Sequence, residues 1–196
     1  MVGYRAEEII NHFGTNFRGT PVRYVIQAER RGVVHAMESA RDAVGESDFM
    51  LFLADEILSR PNHERMLAQF RDEALFAVCG IVRVRDRSQI RKNYALFADE
   101  SSGRIYRLIE KPRAPMNDIM GTGNCVLRAA IFEFVERTPI NAERGERELP
   151  DLIQCAVDAG HVVKFVDIGE GYVNINTPED IGEAERSWIS RESTRA

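Results

Sequence analysis

The sequence predicts an α/β protein with a mostly parallel sheet and a small antiparallel hairpin lobe. Two observations carry this. Between residues 22 and 84 short apolar runs alternate with stretches whose apolar residues recur every three or four positions. That order of strand, helix, strand, helix, strand implies parallel strands joined by right-handed crossovers. After residue 93 the pattern changes to two alternating runs, YALFAD and RIYRLIE, around the turn DESSG, which reads as a hairpin.

The elements follow in order. Ala6, Ile9, Ile10 and Phe13 lie on one face of a helix over residues 5–13, which Gly14 ends. VRYVIQ at 22–27 is a short strand. Val33, Met37, Ala40 and Val44 make a second helical stripe over 33–44. Phe49 to Leu53 reads as a strand buried on both faces. Pro61 to Glu73 is helical again, with Met66, Leu67 and Phe70 on one side, and ALFAVCGIVRV at 74–84 is the longest strand candidate. Leu149, Leu152, Ile153 and Ala156 mark a helix at 148–159, followed by a strand at 162–167. TPED at 177–180 opens the last helix, because Thr177 can cap, Pro178 suits the first turn and Asp180 fills the capping-box position. The terminal RESTRA is expected to fray.

At 196 residues the chain suits one domain with one sizeable core, spanning 1–196. Lys plus Arg total 26 and Asp plus Glu 31, and the net charge of −5 gives no general pull toward nucleic acid or anionic membrane. Any phosphate must be held locally. Cys79, Cys125 and Cys155 lie far apart in apolar runs, so they read as small core residues of a cytoplasmic protein, not as a disulfide framework or a CxxC metal site. No apolar run approaches the roughly 20 residues of a membrane helix, and the start lacks a signal-type segment. His12, His35, His63 and His161 show no paired spacing for zinc.

FMLFLADEIL at 49–58 places two acids at the end of an apolar strand. In open parallel sheets ligands lie beyond the carboxyl ends of the strands, which gives Asp55 a route into a cleft. On position alone an acid that merely opens a loop explains Asp55 equally well.

QAERRGVVHAM at 27–37, FMLFLADEIL, LIEKP at 108–112, TGNCVL at 122–127, RGERELPDLI at 144–153 and GYVNINTPEDI at 171–181 occur in this order over nearly the whole chain. Together they resemble segments of the sugar-phosphate nucleotidyltransferases, of the glucose-1-phosphate thymidylyltransferase and uridylyltransferase types. The resemblance implies a Rossmann-like, GT-A-like nucleotide-binding sheet. It also implies Mg2+ as cofactor, and a nucleoside triphosphate and a sugar 1-phosphate as partners, joined to an NDP-sugar with release of pyrophosphate.

Residue by residue, Asp55 matches the metal-binding aspartate, and Asn174 falls where a second ligand is usually Asp and in some members Asn. Glu56 reads as a neighbour of the metal site. Lys111 and Arg144 match positions that hold the sugar phosphate, and Glu110 one that bonds sugar hydroxyls. Gln27 and Gly32 match the base-reading segment, and Gly123 a glycine beside the sugar. Such a reaction needs alignment and charge neutralisation more than a base, because the attacking phosphate oxygen is already anionic. Asp55 and Lys111 would carry it.

Arg30, Ala54 and Tyr94 depart from a common proline, glycine and glycine of the pattern. The family also begins with a strand and a glycine-rich phosphate loop. MVGYRAEEII resembles a point past them, and the first 30 residues hold no P-loop-like cluster. Slow or no turnover is therefore expected of the chain itself. A non-catalytic regulatory or sugar-phosphate-binding relative, and an unrelated α/β interaction module, remain alternatives. The oligomeric state is open, with room for a homo-oligomer.

Overall fold

The computed structural model describes the backbone of residues 1–192 and the side chains of 1–182 and 184–186. The end of RESTRA, residues 193–196, lies outside the described residues. In chain order the elements are α1 (Ala6–Phe13), β1 (Asn16–Phe17), β2 (Thr20–Pro21), α2 (Gly32–Ser39), α3 (Arg41–Val44), β3 (Phe49–Leu51), β4 (Glu56–Ser59) and α4 (His63–Asp72). There follow β5 (Ala77–Arg83), a 3-10 turn at Arg87–Lys92, β6 (Tyr94–Asp99), β7 (Arg104–Glu110) and β8 (Ile119–Leu127). A second 3-10 stretch at Ala129–Arg137, α5 (Leu149–Asp158), β9 (Val163–Asp167), β10 (Gly171–Asn174) and α6 (Pro178–Glu192) complete it.

The main sheet has six strands in the order β3-β8-β5-β9-β7-β6, and β6 also touches β8. The expectation of a mostly parallel sheet is corrected here. β5 and β9 run parallel, whereas β8 pairs antiparallel with β3, β5 and β6, and β7 antiparallel with β6 and β9. β8 is the cause. Its polar centre, Gly121-Thr122-Gly123-Asn124, hides a nine-residue strand buried along its whole length, and it runs against its neighbours between β3 and β5. The hairpin of β6 and β7 forms as expected, but it continues the main sheet through β7–β9 and does not build a separate lobe.

Side-chain alternation along the central strands puts a layer on each face. Ala77, Cys79 and Ile81 of β5, with Cys125 and Leu127 of β8, face one core together with α2, α5 and the stretch 129–137. Val78, Val82, Met120 and Val126 face the other, with Met66 and Phe70 of α4. Cys79 and Cys125 are fully buried, in keeping with their reading as core residues, whereas Cys155 is only partly buried against the core; all three are free. Among the described residues no helix is long and apolar enough to cross a membrane.

Several local expectations change with their surroundings. α1 forms at 6–13 and Gly14 ends it, its N–H reaching the Ile10 carbonyl at 2.8 Å. Residues 22–27 do not form a strand. Their ladder is a single parallel bridge from Val2 to Ile26, and a strand without a partner has nowhere to place its backbone groups except water. The helix expected over 33–44 breaks at Ala40 into α2 and α3. β3 stops at Leu51 and is half-buried, because among the described residues only β8 pairs with it. The chain then turns at Ala54-Asp55 into β4, which pairs with β10 as a separate two-stranded ribbon. The last helix is capped as expected: Asp180 Oδ2 accepts from the N–H groups of Asn176 and Thr177 at 2.8 and 2.7 Å, and Thr177 Oγ1 from Asp180 at 3.4 Å.

Candidate active site

A cleft of about 240 Å³ opens where β8, the β4–β10 ribbon, the end of β7 and the loop before α5 converge. Leu53, Glu56, Lys92, Asn93, Tyr94, Glu110, Lys111, Arg144, Glu146, Glu148 and Asn174 line it, with Gly32, Gly121, Thr122 and Gly123 supplying backbone. Of the sequence-predicted residues, Gly32, Glu110, Lys111, Gly123, Arg144 and Asn174 therefore share one cavity.

Asp55 sits beside it in the exposed turn between β3 and β4. Its carbonyl accepts the Ile175 N–H at 2.7 Å, and Asn174 is the register partner of Glu56, so the backbones bearing Asp55 and Asn174 are bound to each other. Asn174 Oδ1 accepts from Asn176 Nδ2 at 3.2 Å. The backbone thus brings an exposed carboxylate and an amide, both carrying hard oxygen donors, to neighbouring positions. Among the described residues no group of three His, Cys, Asp or Glu could hold a metal alone. Oxygen donors of this kind suit a hard divalent cation that completes its shell with further oxygens.

The opposite wall is charged and crowded. Arg144 Nη2 bridges Glu110 Oε1 at 2.9 Å and Glu148 Oε1 at 2.6 Å, and Lys111 Nζ lies 3.6 Å from Glu110. The Glu148 contact is a charge contact without hydrogen-bond geometry, since that oxygen is buried with no hydrogen-bond partner. Burial pushes the Glu148 carboxyl above its ordinary value, with the Glu110 charge adding to it and Arg144 and Lys111 opposing. Burial works against the Arg144 charge, but the bond to Glu110 and the charges of Glu148, Glu110 and Glu146 carry the guanidinium above its ordinary value. Lys111 follows β7 with φ of 41°, the left-handed region, and its N–H bonds the Asn93 carbonyl at 2.7 Å.

On the third side, Gln27 Nε2 reaches the Gly32 carbonyl at 3.2 Å and His35 Nδ1 at 2.9 Å, and Arg31 contacts the other ring nitrogen of His35 at 3.0 Å. Gln27 itself stands outside the cleft lining, behind Gly32. Gly32 has φ of 82°, a left-handed conformation that favours glycine, and a Cβ there would press on the Glu146 side chain, 2.8 Å from its Oε2.

Gly123 lines the cleft, and close packing within the fold is a second reason for a glycine there. A Cβ on it would meet Leu53 Cγ at 2.3 Å, and its N–H is already taken by the Glu56 carboxylate, 2.9 Å to each oxygen. Glu56 also accepts from Asn124 Nδ2 at 2.8 Å and from the Tyr172 hydroxyl at 3.0 Å. Burial is the main reason its carboxyl is raised, with the donors pulling the other way. Sequence reasoning read Glu56 only as a neighbour and overlooked Lys92, Glu146 and Glu148. The i,i+4 spacing of Arg144 and Glu148 in RGERE was the available signal for the last of these.

The chain is 32% identical over 197 residues to the UTP–glucose-1-phosphate uridylyltransferase AglF of Haloferax volcanii, covering 100% of this chain and 78% of that one. It is 30% identical to a glucose-1-phosphate thymidylyltransferase of Streptomyces griseus over 95% of its own length, spanning 51% of that protein. Among solved structures, a UDP-glucose pyrophosphorylase complexed with UDP-glucose matches with a TM-score of 0.81 at 16% identity, over 96% of this chain and 79% of that one. UTP-bound UGPase from Acinetobacter baumannii matches with a TM-score of 0.74 at 19% identity, over 94% and 66%. These last two establish likeness of fold. Residues 2–191 match the sequence model for nucleotidyl transferases, and with the uridylyltransferase likeness over its whole length the chain belongs to the nucleotidyl transferase family.

Proposed function

We propose that this chain carries the site that transfers a nucleotidyl group from a nucleoside triphosphate to a sugar 1-phosphate. An oxygen of the sugar phosphate attacks the α-phosphorus, the bond from that phosphorus to the bridging oxygen breaks, and pyrophosphate leaves. The observation that carries this reading is the meeting of Asn174, Glu110, Lys111 and Arg144 around one cavity, with Asp55 bound to the Asn174 strand. The names of the relatives favour glucose 1-phosphate with UTP or dTTP.

Asp55 and Asn174 would hold Mg2+, which when bound neutralises phosphate charge and orients the triphosphate. Lys111 and Arg144 hold the sugar phosphate, and the fork of Arg144 suits two phosphate oxygens at once. An arriving phosphate has to draw Arg144 away from Glu110 and Glu148, which leaves Glu110 free to accept from sugar hydroxyls. The backbone at Gly32, braced by Gln27, offers a close approach for the base.

The test is formation of NDP-sugar and pyrophosphate from glucose 1-phosphate and UTP or dTTP with Mg2+, together with calorimetry of each substrate. Activity that survives Asp55→Ala unchanged would sink the metal role. Sugar phosphate binding without any triphosphate binding favours a non-catalytic relative.

A further inference from the structure

We propose that Glu56 is a positioning residue that ties the metal corner of the cleft to its sugar corner. The inference rests on the nucleotidyltransferase reading, but its geometry stands alone. β4 and β10 form a ribbon that is not part of the six-stranded sheet. At the cleft, the Glu56 carboxylate joins the two. It leaves β4 directly after Asp55 and opposite Asn174, and accepts the Gly123 N–H and Asn124 amide of β8. From β10 it accepts the Tyr172 hydroxyl, which also lies 3.1 Å from Asn93 Oδ1. Asn124 in turn uses its Oδ1 on His63 Nε2 at 3.0 Å, so its amide is oriented by the start of α4.

Every one of these partners is a donor, so the site is built for an acceptor with two oxygens. A shift of this one carboxylate moves both the turn that bears Asp55 and the peptide at Gly123. Groups behind metal-binding side chains commonly change affinity by about 10–100-fold when altered. Because Glu56 holds both corners, the two affinities should move together.

Glu56→Gln keeps one oxygen for Gly123 but turns an amide N–H2 against the Asn124 amide. Adding Asn124→Asp restores a donor–acceptor pair, with His63 free to donate to the new carboxylate. Calorimetry should show Mg2+ and glucose 1-phosphate each binding about tenfold or more weakly in Glu56→Gln, and both recovering in the double variant. Hydrogen exchange at the Gly123 amide, read without any ligand, should quicken in the single variant and slow again in the double. A loss confined to one ligand, or no recovery in the double variant, overturns the proposal. A wild-type chain that binds neither ligand counts against the nucleotidyltransferase reading; the amide readout then decides by itself whether Glu56 fastens ribbon to sheet.

Discussion

Tyr94 of β6 lies so close to its register partner Gly121 of β8 that a Cβ at 121 would fall 2.0 Å from Tyr94 Cε2. The Tyr94 hydroxyl donates to the Thr122 carbonyl at 2.9 Å, and the ring is almost wholly buried, so it cannot swing aside. Gly121→Ala should therefore destabilise by about 1–3 kcal/mol through overpacking. Tyr94→Ala should cost about 3–5 kcal/mol by leaving a cavity. Denaturant titration of the double variant should show less than the sum, because each change relieves the other. Strict additivity would mean that the ring and the glycine are not in contact.

Glu148 gives a pH dependence. Its folded carboxyl is raised above the ordinary 4.5, chiefly by burial. Between that value and the raised one, the folded state binds more protons than the unfolded, so this group's contribution to stability falls as pH rises through the window. Glu148→Gln removes the penalty. Its melting temperature relative to wild type should rise from pH 4 to pH 7. A difference that stays flat or reverses would show that the Arg144 contact outweighs burial.

Asp180 has the opposite sign. Backbone N–H groups of Asn176 and Thr177 hold its carboxyl below the ordinary value. Its stabilisation of the α6 start is present above the unfolded value of 3.8 and is lost as pH falls through the folded one. Asp180→Ala should melt below wild type at pH 7, and the two should converge in strong acid.

Arg144→Lys tests the fork. A single ammonium cannot span Glu110 and Glu148 and also present two parallel donors to a phosphate. Calorimetry with glucose 1-phosphate should show affinity reduced about tenfold or more, consistent with loss of a charge-assisted hydrogen bond. Unchanged affinity would remove Arg144 from the phosphate site.

The amino-terminal part should open first. α1 buries no residue, and Ile26 is 62% exposed beyond its one bridge. β5, β8 and β9 lie in the doubly covered core. Brief proteolysis should cut between residues 14 and 31 before any site within β5, β8 or β9, since local opening follows sparse burial. Early cuts within β5 or β8 would contradict this.

Where backbone structure is decided locally, the sequence could be read. The stripe of α5, the cap of α6 and the glycine after α1 each involve residues within one or two turns. The strand at 22–27 could not be settled that way, because strand propensity has no effect without a partner, and pairing is a property of distant residues. β8 escaped for a related reason. Its buried Thr122 and Asn124 look like loop residues until Gly80, His63 and Glu56 are seen to satisfy them. In the cleft, resemblance brought out Gly32, Glu110, Lys111, Gly123, Arg144 and Asn174, which line one cavity. Glu56 stayed hidden as the second acid of a pair because its partners come from β8 and β10, some 67 and 116 positions along the chain.

The left-handed backbone at Lys111 carries a practical consequence. A side chain in that conformation costs about 1–2 kcal/mol that glycine would not incur. Lys111→Gly is thus the kind of change a screen for heat resistance would accept, and it would remove the ammonium from the cleft. Engineering of this protein for robustness should hold position 111 fixed, because there hardiness and the proposed capture of phosphate pull in opposite directions.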